Sequence, residues 1–243
     1  MLRVPASCRP ATCDRATQEQ KETIEEYTEG IYRLQEEMEE VSTGDIAKYM
    51  SVAPASVTTM LKKLTEHGLV EHAPYHGVRL TAKGKELSIS LLRKHRLVER
   101  LLVDFLELPW DDVHELACKL EHYVSEDVTD RIAHAMGYPA TCPHGNPVDA
   151  TFCDGSRRLS SCPSGQELTV VKITDERLEF LAYVQQIGLM PDTRIRILSR
   201  TPFGDVTTVA IAGKADAAVG REVTDSVWVR DAEANPNEPC HSI

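Results

Sequence analysis

Apolar positions recur at helical spacing through the first part of the chain and switch to alternation in the last third, so a largely helical half should precede a small β half. Thr23-Ile24-Glu25-Glu26 reads as a capping box that opens a helix through Met38, with Ile24, Tyr27, Ile31 and Leu34 on its apolar face. Ser42-Thr43-Gly44-Asp45 opens a short helix over 46–50. Ser51-Val52-Ala53 is a tight turn, and Pro54 is placed as the first residue of a helix that ends at His67-Gly68. Segments 69–72 and 78–80 read as strands around a turn containing His76-Gly77, after which Thr81 caps a long helix. Short helix, tight turn, second helix and hairpin make a winged helix-turn-helix.

From Lys83 to Met136 the period stays helical. Leu87, Leu91, Leu92, Val98, Leu101, Leu102 and Phe105 form one stripe, and Val113, Leu116, Ala117, Leu120 and Val124 form another. That much apolar face on so few helices calls for a second copy of the chain. Gly137-Tyr138-Pro139 stops the helix, and 146–165, rich in Pro, Asp, Gly and Ser, reads as a linker. Strands are expected at 168–173, 194–198, 206–211 and 227–229, with a helix over 175–187 ended by Gly188, which together give a small β-barrel. The fold class is mainly α: winged helix-turn-helix plus helical dimerisation domain, followed by a small SH3-like β-barrel. The expected layout is a disordered extension over 1–20, the winged helix over 21–82, the helical domain over 83–147, a linker over 148–165, the barrel over 166–231 and a disordered tail over 232–243.

Composition narrows the classes. The 243 residues are 42% hydrophobic and 27% charged, ordinary for a globular protein, and no apolar run approaches the roughly 20 residues of a membrane span. The first twenty residues lack a secretory apolar segment, and seven scattered cysteines do not suggest a disulfide framework, so a reducing cytoplasmic location is expected. Cys153 and Cys162 read as free thiols, and Cys8, Cys13 and Cys240 fall in the expected disordered ends. A formal net charge of −11 disfavours constitutive nucleic-acid binding unless basic residues are concentrated locally or carboxylates are neutralised.

The chemistry sits in the helical middle. Cys118, Glu121 and His122 share a helix face, His114 lies one turn before Cys118, and His95 and Glu99 form a second pair four residues apart. Nitrogen, oxygen and sulfur donors in that mix suit a borderline transition metal better than calcium or magnesium. His114-Glu115-Leu116-Ala117-Cys118 nearly spells the zinc-protease sequence, but it ends in cysteine and Glu115 points off the His114–Cys118 face. No phosphate-cradling loop or nucleophile elbow accompanies it, so an enzyme is not expected.

Four segments, 93–102, 113–118, Glu121-His122 and Cys142-Pro143-His144-Gly145-Asn146-Pro147, resemble in that order the diphtheria toxin repressor family of iron- and manganese-dependent transcriptional regulators. The resemblance covers roughly 23–147, and the C-terminal part is similar to the SH3-like domain of that family and of FeoA-type proteins. It implies a regulatory metal site of Glu26, Cys118, Glu121 and His122, with Glu26 standing where iron-responsive members have methionine and manganese-responsive members aspartate. It implies a second site of His95, Glu99 and His114, completed by Glu176 and Glu179. Glu29 matches a carboxylate of manganese-type members. Cys142-Pro143-His144 reads either as a further metal corner, used by some streptococcal-type members, or as a structural turn. Glu26 paired with Cys118 is harder than methionine with cysteine and softer than two carboxylates, which favours Mn2+ as activator with Fe2+ next.

The resemblance implies a metal-activated homodimeric repressor of double-stranded DNA that reads a palindromic operator, without membrane attachment. Pro54, Ser56, Thr58 and Thr59 are the expected base-facing positions, with Lys62, Lys63 and Arg79 on phosphates. The competing class is a metal-sensing or metal-buffering dimer, or a FeoA-like adaptor, with no operator.

Overall fold

Gln18 to Glu22 are all good helix formers, and they carry the first helix back beyond its expected start. In the computed structural model, which describes residues 15–38, 40–72, 77–150, 155–202 and 205–233, α1 runs Arg15–Glu37. Thr23 is therefore inside the helix, where its hydroxyl donates to Glu19 O at 2.8 Å, and the expected capping box with Glu26 does not form. The disordered extension expected over 1–20 gives way to helix from Arg15 onward. Cys8, Cys13, His76, Cys153 and Cys240 lie outside the described residues.

The chain divides into two compact units, Met1–Leu92 and Arg93–Ile243. In the first, the capping box at Ser42 is realised: the Asp45 amide donates to Ser42 Oγ at 3.1 Å and the Ser42 amide to Asp45 Oδ2 at 2.9 Å. It opens α2 (Thr43–Tyr49), and Ser51, at φ 54°, turns the chain into α3 (Pro54–Glu66). Val57, Leu61 and Leu64 recur at helical spacing and bury that face of α3 on Tyr27, Ile31, Val41, Ile46 and the inner residues of the wing. Each such side chain contributes about 1.5–3 kcal/mol on burial. The wing is β1 (Val70–His72) antiparallel to β2 (Val78–Leu80), extended by a bridge from Val41 to Val78. Helix α4 (Ala82–Asp104) follows, and Ser88 on it donates to Thr28 O of α1.

In the second unit, the end of α4 packs with α5 (Val113–Glu121) through Val98, Leu102, Val113 and Ala117. Helix α6 (Glu126–Ala135), capped by Ser125, packs through Ala133 on Leu97 and Val148. Next comes a tight loop whose backbone is claimed from two sides. Arg96 donates to Pro147 O at 2.6 Å, and Arg100 donates to Thr141 O and Cys142 O at 2.8 and 2.9 Å. On the other side the Ile173 amide donates to His144 O, and Asn146 Nδ2 donates to Ile173 O. Gly145 sits at φ +85°, and a Cβ there would lie 2.1 Å from Val171 O, so only glycine fits.

The β part is one antiparallel six-stranded sheet in the order β3-β8-β4-β5-β6-β7. Its strands are β3 (Arg157–Arg158), β4 (Glu167–Ile173), β5 (Arg194–Arg200), β6 (Thr207–Ile211), β7 (Ala217–Val219) and β8 (Val227–Asp231). Bulges in β4 and β5 add twist, and inward residues of β4 to β8 meet in one core with α7 (Leu178–Ile187), the SH3-like arrangement expected. The segment read as a linker in fact contributes β3, and Leu159 and Cys162 are buried in that core. Weak apolar content in a Ser- and Arg-rich stretch hid both. The sequence also gave no sign of β7 or the short α8 (Arg221–Ser226). Among the described residues no helix is long and apolar enough to cross a membrane.

Candidate metal centre

Helical spacing places the donors. On α4, His95 and Glu99 lie one turn apart and are 1% and 0% exposed. On α5, His114 and Cys118 repeat that spacing and turn towards them. The loop after α6 adds Cys142 and His144, both buried. Glu176 comes from the segment between β4 and α7. The helix expected from 175 begins at Leu178 instead, because Asp175 folds back to accept the Arg177 amide and guanidinium. Glu176 is thereby released from any helix face and buried, whereas Glu179, in the first turn of α7, is exposed. The structure does not bring the two glutamates together.

The distances are those of a ligand cluster. His95 Nε2 lies 2.9 Å from Glu99 Oε1 and 3.1 Å from His114 Nδ1. His114 Nδ1 lies 3.4 Å from Glu99 Oε1 and 3.3 Å from Glu176 Oε2. His144 Nδ1 lies 3.2 Å from Glu99 Oε1 and 4.0 Å from Cys142 Sγ. The opposite nitrogens of the first two rings face Cys118 Sγ, at 4.0 Å from His95 Nδ1 and 3.7 Å from His114 Nε2. Three donor groups result: His95–His114–Cys118, His95–Glu99–His114–Glu176 and Glu99–Cys142–His144–Glu176.

Glu121 is placed differently from its expected company. Its Oε2 lies 2.7 Å from His95 Nδ1, and its other oxygen is 3.9 Å from His122 Nε2. A carboxylate on Nδ1 fixes the tautomer that leaves Nε2 free to ligate, an arrangement common behind metal-bound histidine. Glu121 and His122 are buried, but neither joins a donor group among the described residues. Glu26 is exposed and Glu29 pairs with Arg33 at 2.9 Å; both belong to the first unit.

Charge is concentrated here. Burial works against protonated His95, but the Glu99 carboxylate, with Cys118 and Glu121, outweighs it and holds the imidazole well above its usual range. Against the same penalty, hydrogen bonds with Cys118 and Glu99 raise His114 to about 9, and those with Cys142 and Glu99 raise His144 to about 11. Glu99 is held well below the carboxylate range by the three imidazoles, in spite of its burial. The two thiols differ: His114 and His95 overcome burial to lower Cys118, whereas burial and the Glu99 charge raise Cys142.

The residues fit a divalent transition cation. Glu99 Oε2 is buried with no hydrogen-bond partner among the described residues, although a buried charged acceptor left unmade costs several kcal/mol. Imidazole, carboxylate and thiolate together suit manganese, iron, cobalt or zinc rather than calcium or magnesium. The supports escaped the sequence reading: Arg96 and Arg100 stand one turn apart in an apolar stripe, and Asn146 Nδ2 donates to Glu176 Oε1 at 2.9 Å. Buried arginines at that spacing were the available signal.

On the first unit, Pro54, Ser56, Thr58, Thr59 and Lys62 of α3 are exposed, Lys63 is half-buried, and Arg79 on β2 is exposed and 3.8 Å from Glu40. The hydroxyls of Thr58 and Thr59 donate to Pro54 O and Ala55 O, which leaves oxygen lone pairs and methyls outward. In the second unit Phe105, Leu106, Leu116, Leu120 and Tyr123 are exposed apolar side chains.

Residues 20–78 match the family described as iron dependent repressor, N-terminal DNA binding domain. Residues 81–149 match its metal binding and dimerisation domain, and 157–231 match the FeoA domain. The iron-dependent repressor IdeR of Mycobacterium leprae is 32% identical over 224 residues, 86% of this chain and 96% of that protein. A solved manganese-dependent transcriptional repressor in complex with manganese is similar at a TM-score of 0.79 and 33% identity, over 86% of this chain and 99% of that one. The structure of ScaR with bound Cd2+ is similar at a TM-score of 0.76 and 27% identity, over 86% and 99%.

Proposed function

This chain belongs to the diphtheria toxin repressor family of metal-dependent transcriptional repressors, and from that premise we propose how its residues serve that role. It binds DNA through the winged helix and pairs with a second copy through the helical domain. The relatives are repressors rather than enzymes or adaptors, which disfavours the operator-free alternative.

The metal ligands are His95, Glu99, His114 and Glu176, with Cys142 and His144 beside them, and Cys118 with Glu121 and His122 on the opposite ring nitrogens. Glu26 and Glu29 enter by family resemblance alone. The observation that carries this reading is the unpartnered, buried Glu99 Oε2 among three imidazoles. A bound divalent cation supplies fixed coordination directions and positive charge to a protein of net charge −11. The residues around it hold α4, α5 and the loop before β4 in one arrangement, which a ligand stabilises only by binding it in preference to others. Neutralised carboxylates also weaken repulsion from phosphate. A dimer presents two α3 helices to successive major grooves about 34 Å apart, so the operator is a near-palindrome.

Manganese is the favoured activator, with ferrous iron next: the carboxylates are hard donors and Cys118 is the softer counterweight. The place of action is the cytoplasm. The test is footprinting on the protein's own genomic neighbourhood with chelator, Mn2+ or anaerobic Fe2+. A palindromic footprint that needs metal and disappears in Glu121→Ala or His122→Ala is the expected result. Protection that is indifferent to metal would sink the reading.

A further inference from the structure

Two donor groups share both of their carboxylates. His95–Glu99–His114–Glu176 and Glu99–Cys142–His144–Glu176 are distinct sets of four, each with its ligand atoms mutually within 4.8 Å; the six residues do not form one set. Donors on a single ion with bonds of about 2.0–2.3 Å lie within roughly 4.6 Å of one another. One ion therefore does not satisfy all six without movement.

The sharing has a direction. Glu176 Oε2 lies 3.3 Å from His114 Nδ1, whereas its Oε1 lies 3.9 Å from His144 Nδ1, so this carboxylate turns a different oxygen to each set. Glu99 Oε1 lies 2.9 Å from His95 Nε2 and 3.2 Å from His144 Nδ1, while its buried Oε2 has no partner among the described residues. Both carboxylates are held in place. Asn146 donates to Glu176 Oε1 at 2.9 Å, and Glu99 is packed in the interior of α4. Each set then adds its own pair of neutral or soft donors.

We propose that this cluster is a dinuclear centre, in which Glu99 and Glu176 bridge two divalent transition-metal cations, one completed by His95 and His114 and the other by Cys142 and His144. The inference rests on the metal-dependent reading above and specifies it. The two positions differ in kind: the first has nitrogen and oxygen donors only, and the second includes a thiolate, which draws later metals of the first row more strongly.

The test uses the full-length protein, anaerobic, with Mn2+ alone and then Co2+ alone as probes. With Mn2+, electron paramagnetic resonance of the native protein should show an exchange-coupled pair, and both Cys142→Ala and His114→Ala should show only isolated ions. With Co2+, the native protein should take up one more equivalent per chain than Cys142→Ala, which should also lose part of the thiolate-to-cobalt absorption. His114→Ala should keep the Cys142 share of that absorption, which separates loss of one position from a failure to fold. Equal stoichiometry in native and Cys142→Ala proteins, with no coupled pair, would mean one shared ion and overturn the pairing while leaving metal dependence intact. Absence of any metal binding would overturn both.

Discussion

His95 and His114 approach edge-on, with ring centroids 4.8 Å apart and Nε2 of the first only 3.1 Å from Nδ1 of the second. Two imidazoles from different helices reach that distance, beside the carboxylates of Glu99 and Glu176, where something positive is to be held between them. Protons and metal ions compete for that place.

The competition gives a pH dependence of known sign. His114 has its folded pKa raised to about 9 because hydrogen bonds with Cys118 and Glu99 exceed the penalty of burial. In metal-free protein its stabilising contribution is fully present below the unfolded value of about 6.5 and is lost as pH rises through about 9. Metal needs the deprotonated ring, so metal affinity should rise with pH over the same window, with protons released on binding. Calorimetry in two buffers of different ionisation enthalpy measures the release. Affinity that stays flat between pH 7 and 9, with no proton release, would remove His114 from the site.

Glu99 and Glu179 make a matched comparison, since one is wholly buried and the other exposed. Glu99→Gln should abolish metal uptake by the cluster and cost about 3–5 kcal/mol, the usual result of stripping one partner from a buried charged group. Glu179→Gln should leave both metal stoichiometry and the melting temperature unchanged. A loss of metal in the second variant would put Glu179 back among the ligands.

That contrast marks where the sequence was legible. The winged helix could be read because each of its boundaries carries its own chemistry: Ser42 with Asp45, Pro54 at a first turn, the apolar spacing of Val57, Leu61 and Leu64. The pairs His95–Glu99 and His114–Cys118 could be read because one helical turn fixes them relative to each other. What joins pairs from different helices is tertiary, and no spacing encodes it. Glu121 therefore went to the wrong neighbours: it shares a face with Cys118 and His122, yet its carboxylate meets His95 on α4. Glu176 and Glu179 were read as one helix face because the Asp175 turn that delays α7 has no periodic signature.

Gly145→Ala should destabilise the protein by at least about 2 kcal/mol. It places a Cβ at positive φ and 2.1 Å from a β4 carbonyl oxygen in a loop fixed on both sides. The same variant should weaken metal uptake, because Cys142 and His144 leave their positions when the loop shifts. Thermal unfolding with and without Mn2+ tests both, and a native-like melt would show that the loop yields more easily than its contacts imply.

The exposed side chains of Leu116, Leu120 and Tyr123, at 38%, 38% and 69% exposure, should be covered in a homodimer whether or not metal is bound. Chelator-treated native protein should sediment as a dimer at micromolar concentration, and Leu116→Glu with Leu120→Glu as a monomer. A native monomer in chelator would place dimer formation under metal control.

Lys62 is exposed on α3, where a phosphate contact carries salt dependence without sequence preference. Lys62→Ala should lower affinity evenly across operator variants and reduce the slope of log affinity against log salt by about 1. Altered preference at a single base pair would move Lys62 to the base-reading set.

Burial of the donors also sets a clock. Glu99 and His144 are 0% exposed, His95 and Cys142 1%, and among the grouped ligands His114 and Cys118 are the ones partly open to solvent. An ion seated among the closed donors leaves only when the protein opens locally, so its residence time is governed by that opening and not by the strength of its bonds alone. The response to falling metal then lags the fall itself, and a brief shortage passes unnoticed while a sustained one does not.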